Sequence, residues 1–446
     1  MKGRIRASIL GVCWTFLAVA GGAFAQTTAE VNAGVQFNFS TPGARSLGLG
    51  GAFLGLADDA TAAYANPAGL TILSKPEVSL EARHWSYQHT FTDGGRLYGS
   101  PTGEGVDTVA GLRIGHAEST VTGLSFLSAV YPGRRWAVAL YRHELANYEA
   151  DFKTDGVFTR PATTDEEGAR TRPKINSFDL MIVNFGLSAA FRVTDQLSLG
   201  AGVSAYDFSL RSRTDRYDNR APDTGPGGLF GPPLYTPENL VDTQIQKGDD
   251  RKIGFNAGFL WHVTDSWSFG GVYRQGPDFD LDATYIRGPL APSSAHNDTK
   301  PARYKVPDVF GLGAAVQPTE LTTVTLDYVR VQYSDLNRSI VNILLLLPNP
   351  ATDLRFKVDD ANEIHLGFER NFPLRRSLLA ARIGSWYDPD HRLRYVGSVP
   401  GLQAAFRPGK DEIHYSAGIG FISPRLKLQA DAAFDYSAPV KTASLS

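Results

Sequence analysis

The connections between amphipathic segments constrain this chain more than the segments themselves. Short turns fall at Pro132–Arg135, Thr194–Gln196, Thr264–Ser266, Pro318–Glu320, Pro373–Arg376 and Ser423–Arg425. Long polar loops fall at 93–119, 151–176, 211–248, 288–303, 336–360 and 391–410, so the two kinds alternate. Transmembrane barrels join strands by short periplasmic turns and longer extracellular loops; a soluble sandwich has no reason to keep that order. Between the turns, apolar and polar residues alternate with period two. Ile413, Tyr415, Ala417, Ile419 and Phe421 share one face, as do Leu426, Leu428, Ala430, Ala432, Phe434 and Tyr436. Ile253, Phe255, Ala257, Phe259, Trp261 and Val263 do the same. Trp136, Trp261 and Trp267 lie close to short turns, where an interfacial girdle belongs. The expected fold is all-β: a transmembrane antiparallel β-barrel of about fourteen strands, an even count being the rule. It starts at 77–92, and the tail 439–446 begins its last strand.

The N-terminus sets the compartment. Lys2, Arg4 and Arg6 precede an apolar run, Ile9–Ala20, and Ala23-Phe24-Ala25 is a cleavage signal, so residues 1–25 read as a signal peptide. Neither that run nor any later one is long enough to cross a bilayer as a helix. Loss of three basic residues takes the net charge from −2 to −2 − 3 = −5, which gives no reason to expect nucleic acid. Cys13, the only cysteine, lies in the leader, so the mature chain offers no thiol for a disulfide or a metal.

Residues 26–76 read as a plug, with 77–446 as the barrel around it. Gly43–Leu70 is too rich in glycine and alanine for a strand. Gly50 and Gly51, with Gly48 and Gly55, permit tight turns against a wall. Asp58 or Asp59 can cap a short helix that Asn66-Pro67 ends. A latch between Arg45 and Asp58 or Asp59 is expected. A phosphate loop is excluded, because Phe53 stands where the third glycine belongs and no βαβ unit follows.

Two strands break their alternation. Trp136, Val138 and Leu140 would continue into Arg142 and Glu144, and a charge at the bilayer midplane costs ~2–4 kcal/mol. Either the phase slips near Leu140-Tyr141, which makes Leu140, Tyr141 and Arg142 the candidate strand kink, or the strand has already left the membrane there. A second slip is expected in 324–333, where Leu326 and Tyr328 give way to Val329, Val331 and Tyr333. The apolar run Ile340–Leu347 interrupts a polar loop. Leu344, Leu345, Leu346 and Leu347, with Leu229, Phe230 and Leu234 of the 211–248 loop, are the candidate outer groove for an apolar ligand. No catalytic motif is present, so no enzyme activity and no cofactor are expected. Asp278, Asp280 and Asp282 share a face, read as a solvated lumenal wall rather than a metal site.

Gly43-Ala44-Arg45, Gly50-Gly51-Ala52, Ala57-Asp58-Asp59-Ala60 and Asn66-Pro67-Ala68-Gly69 together resemble the N-terminal hatch of the FadL/TodX (OMPP1) family. These are outer-membrane transporters of long-chain fatty acids and other hydrophobic compounds. The resemblance continues in Val306–Gly313, Leu326-Asp327-Tyr328 and Ala381–Gly384 with Tyr387-Asp388-Pro389. It implies a fourteen-stranded barrel, a gate at Asn66, Pro67 and Ala68, and lateral release through a kinked third strand, here in 135–148. The chain departs from the pattern at its end, Lys441–Ser446, which lacks the usual terminal aromatic residue. The expected function is passive uptake of a hydrophobic small molecule across the Gram-negative outer membrane, by a monomer among outer-membrane lipid. The alternative is a secretion or assembly scaffold that binds a protein partner.

Overall fold

The computed structural model describes residues 37, 39, 41–97, 99–160, 169–219, 230–293, 295–337, 355–397 and 409–440. The leader, Leu229, the run 340–347 and the tail 441–446 lie outside the described residues.

The wall is one antiparallel sheet in which each strand pairs with the next. Its strands are β1 (Glu77–Gly95), β2 (Leu112–Pro132), β3 (Trp136–Glu149), β4 (Lys174–Arg192), β5 (Leu197–Tyr217) and β6 (Leu240–His262). Next come β7 (Trp267–Arg274) and β8 (Asp278–Arg287), which pair with successive stretches of β6 as two pieces of one wall strand. β9 (Asp298–Lys305) and β10 (Val309–Thr319) face them in the same way. The wall ends with β11 (Thr322–Val331), β12 (Ala361–Leu374), β13 (Ser377–Asp388), β14 (Glu412–Ser423) and β15 (Leu428–Pro439). Among the described residues the wall thus has thirteen strands. The expected fourteenth falls on the tail, outside them. All six short turns join the strands that the sequence assigns to them.

The sheet curls around a plug made of α1 (Ala44–Gly48), α2 (Ala62–Ala65) and a 3-10 helix over Pro67–Ile72. The Gly43 amide donates to Glu81 of β1, while α1 packs on β13, β14 and β15, so the plug touches both ends of the sheet.

Side-chain polarity along a strand divides the barrel into levels. On β5 the outward residues Leu199, Ala201, Val203 and Ala205 are apolar, and from Asp207 to Arg213 they become polar. On β6 the change comes between Ile253 and Arg251. Trp136, Trp261 and Trp267 are exposed on the outer face at the short-turn end, as a girdle requires. Inward residues run the other way. Ser198, Gly200, Gly202 and Ser204 of β5 flank the plug, and Tyr206, Phe208 and Leu210 above them join a buried apolar cluster.

This inversion corrects two expectations. Asp278, Asp280 and Asp282 do share a face, but it is the outer one; Phe279, Leu281 and Ala283 point in. The second phase slip does not exist. β11 keeps register with β10 and β12 from Val324 to Val331, with Leu326, Tyr328 and Arg330 outward. Val331 faces in because the lumen there is apolar.

β3 corrects a third. Its register with β4 runs unbroken through Leu140, Tyr141 and Arg142, and the shift falls between Glu144 and Ala146. Arg142 and Glu144 keep the outward phase because neither is an isolated charge. Their side chains approach to 3.4 Å, and Arg142 also donates to the Leu124 carbonyl of β2.

Candidate functional site

Three structures converge in the lumen: the plug, an apolar cluster above it, and a break in the wall beside it.

The plug is seated by backbone contact and by buried polar side chains. Gly50, at φ +65°, lies so close to β13 that a Cβ on Gly384 would stand 2.0 Å from the Gly50 amide nitrogen. On the opposite side a Cβ on Gly200 would stand 2.3 Å from the Ala68 nitrogen. The Gly50 amide donates to Ser416 Oγ at 3.1 Å, and its carbonyl lies 2.7 Å from His365 Nδ1. Gly51, also at positive φ, packs on the His365 ring. Asp327 accepts the Phe53 and Leu54 amides at 2.7 and 2.8 Å.

Asn66 is fully buried. Its amide nitrogen donates to the Leu54 carbonyl at 3.0 Å and to the Phe259 carbonyl of β6 at 2.9 Å; its Oδ1 accepts from Ala68. Extended backbone at Asn66 and the fixed φ of Pro67 start the 3-10 helix here. One side chain therefore ties two parts of the plug to each other and to the wall.

The structure joins Arg45 to Asp58 at 2.6 Å and to Asp59 at 3.7 Å, and adds Glu369 of β12 at 3.1 Å. Glu369 also meets Arg382 of β13 at 2.6 Å, and Arg382 meets Asp431 of β15 at 2.5 Å. Burial would lower the Arg45 pKa, but Asp58, Glu369 and Asp59 raise it well above its ordinary value. Burial raises the Asp59 carboxyl, against the pull of Arg45. Sequence reasoning missed Glu369, Arg382 and Asp431. Their signal was a charge at inward parity within lipid-facing alternation.

Above the plug the cluster gathers Phe178, Leu180, Tyr206, Phe208, Phe279, Tyr304 and Tyr333. Phe37 and Phe39 of the N-terminal segment lie in it, stacked at 5.1 Å and set against Tyr304 and Tyr333. A small cavity separates cluster from plug, lined by Phe39, Leu54, Val272, Arg274, Glu363 and His365.

The wall breaks between β2 and β3. Their ladder runs from Pro132↔Ala137 to Phe126↔His143 and stops. Beyond it, β2 up to Leu112 pairs only with β1, and β3 up to Glu149 only with β4. Arg142 bridges the near end of this seam. At the far end Tyr87 and Ser119 hydroxyls donate to the Glu149 carbonyl. Leu140 lies on the lipid-facing side below the seam, while Tyr141 points in and bonds Ser204 at 2.7 Å.

Of the candidate outer groove, Phe230 is buried against Phe158 at 6.0 Å and Leu234 is exposed. Leu229 and Leu344–Leu347 lie outside the described residues. No group of metal ligands occurs among the described residues.

Residues 161–445 match a family described as outer membrane protein transport protein (OMPP1/FadL/TodX). The long-chain fatty acid transport protein of Escherichia coli O6:H1 is 27% identical over 280 residues, which cover 58% of this chain and 54% of that protein. Outer membrane protein P1 of Haemophilus influenzae is 23% identical over 280 residues, covering 57% and 56%. The chain thus spans about half the length of the curated relatives it matches. The crystal structure of a Pseudomonas aeruginosa FadL homologue shares the fold, with a TM-score of 0.59 at 17% identity over 91% of each chain.

Proposed function

The chain belongs to the OMPP1/FadL/TodX family of outer-membrane transport proteins, and from that premise we propose that it takes up a hydrophobic small molecule and releases it sideways through the β2–β3 seam. The observation that carries the reading is the placement of that seam. It opens where the ladder ends at Phe126 and His143, beside the plug helix α2 and below the apolar cluster. A molecule in the cluster gains ~25 cal/mol for each Å² of apolar surface removed from water. The plug fills the lumen below it, so the seam is the side exit from that level. The gate is the segment Asn66–Ala68, held by one buried side chain. In this reading the leader 1–25 directs export, the barrel works as a monomer, and outer-membrane lipid receives the cargo.

Uptake of radiolabelled oleate and of radiolabelled toluene by cells expressing the chain tests this. We expect one of the two to enter faster than in cells without it, and Pro67→Gly to alter that rate. Uptake of neither by a correctly inserted barrel would overturn the proposal.

A further inference from the structure

Tyr64 is the one large side chain in the plug stretch Ala60–Ala65, so it is the one that reaches the wall from there. It is buried, and its ring lies 4.1 Å from the His143 imidazole, on the last paired rung of β2 and β3. The Tyr141 ring meets it edge-on at 6.0 Å. Tyr64 thus covers the inner side of the point from which the seam would open.

Arg274, at the end of β7, holds Tyr64 in that place. Its guanidinium carbon sits 4.7 Å from the Tyr64 ring centre, and Nη2 donates to the Ala65 carbonyl at 2.8 Å. Its Nη1 donates at 3.2 Å to the carbonyl of Phe39, whose ring is packed in the apolar cluster. Nε is buried without a hydrogen bond, and among the described residues Arg274 makes no ion pair. With no carboxylate within ion-pair distance among the described residues, this buried guanidinium depends on the carbonyls that it does hold. Loss of one weakens its grip on what remains.

We infer that Arg274 couples occupancy of the apolar cluster to the seam: cargo that displaces Phe39 removes one acceptor of Arg274 and frees Tyr64 from the rung that it covers. Tyr64 is the cover on the seam, distinct from the Asn66–Ala68 gate, and Arg274 is the positioning residue that links it to the cargo. The inference rests on the lateral-release reading. It requires that cargo and Phe39 compete for the same aromatic surroundings, which Tyr333 and Phe37 provide.

A thiol reporter at the seam tests the coupling. Cys13, the only cysteine, is replaced by serine, and Gly123→Cys is introduced on β2, where a Cβ has room beside Glu144. Labelling by N-ethylmaleimide is followed in outer membranes, with and without oleate or toluene, whichever the chain takes up. Without further change, cargo should speed labelling about fivefold or more, the lower end of an ordinary coupling energy. With Arg274→Met or Tyr64→Leu added, labelling should be fast without cargo and insensitive to it, and the double variant should add nothing. A merely structural role for Arg274 would lower the amount of folded barrel but leave the ratio of the two rates unchanged. That result, or labelling that ignores cargo in the reporter chain while uptake is intact, would overturn the inference. Arg274→Lys, which keeps the charge, serves if Arg274→Met does not insert; it should reduce the ratio. Uptake of neither compound would instead remove the reading on which the inference stands.

Discussion

Glu369 is shared by two guanidiniums, Arg45 of the plug and Arg382 of the wall, and its side chain is only 3% exposed. Glu369→Gln removes the carboxylate common to both cations, but Arg45 keeps Asp58 and Asp59 and Arg382 keeps Asp431, so the cost falls below the ~3–5 kcal/mol of a buried charge left without a partner. We expect a lower urea midpoint, read as loss of the heat-modifiable gel band, and an unchanged midpoint would show that the network does not hold the plug. The Arg45 pairing with Asp58 and Asp59 was legible because those residues lie close in sequence and recur in the hatch pattern. Glu369 was not: its inward parity marked it as a lumenal charge, but nothing local names a partner more than three hundred residues away. A second residue-scale prediction concerns pH. In the loop after β1, Asp107 binds Arg96 at 2.7 Å, both about 1% exposed. Burial would raise the Asp107 pKa, but Arg96 and Thr102 outweigh it and hold it below the ordinary value. A depressed carboxylate stabilises fully above its unfolded pKa of about 3.9 and loses that contribution as pH falls through the folded value. Hydrogen exchange over 96–111, corrected for its intrinsic rate, should therefore be slow at neutral pH and rise only below about pH 4.

At the scale of elements, plug and wall also meet backbone to backbone, at glycines on both sides. Gly384→Val places a branched side chain where Gly50 now passes, and that contact is with backbone that cannot swing aside. The plug half held by β12, β13 and β14 should be expelled, while the barrel still inserts. Protease cleavage within 41–73 and raised outer-membrane permeability to a water-soluble antibiotic would record it; a protected segment would show that the seat adapts. The strands themselves were readable from period two and the six short turns. What misled the reading was the assumption that inward means polar along a whole strand. Phe279, Leu281 and Val331 point inward into an apolar level, so their pattern mimicked a face reversal or a phase slip. Arg142 misled it differently. The cost of a charge facing lipid was applied to a side chain that spends its hydrogen bonds on Leu124 and Glu144. A true shift does exist in β3, two residues further on, and only pairing geometry locates it.

For the whole molecule, the reversal of outward polarity fixes how deep the barrel sits. From Trp261 to Ile253 the outer face of β6 spans eight residues, ~26 Å along the strand and ~20 Å of membrane after tilt. That is close to the apolar band of about 25 Å that such barrels present. Above it, Arg251 pairs with Asp207 and Asp249 with Arg211 on the same outer surface. Two substitutions on one strand, each introducing an arginine but at different heights, separate a lipid boundary from a chance run of apolar residues. Ala257→Arg puts a cation near the midplane and should cost about 2–4 kcal/mol of folding into vesicles. Asp249→Arg sits eight residues toward the loops on the same face, breaks only an exposed pair and should cost far less. Urea titrations of tryptophan fluorescence in lipid vesicles would measure both. Equal costs would mean that lipid does not end where the sequence changes. A large cost at Ala257 alone would place Arg142, Leu124 and the start of the β2–β3 seam relative to lipid, through the register that links these strands from β6 back to β2. Cargo leaving there would enter the membrane at the height that this comparison sets.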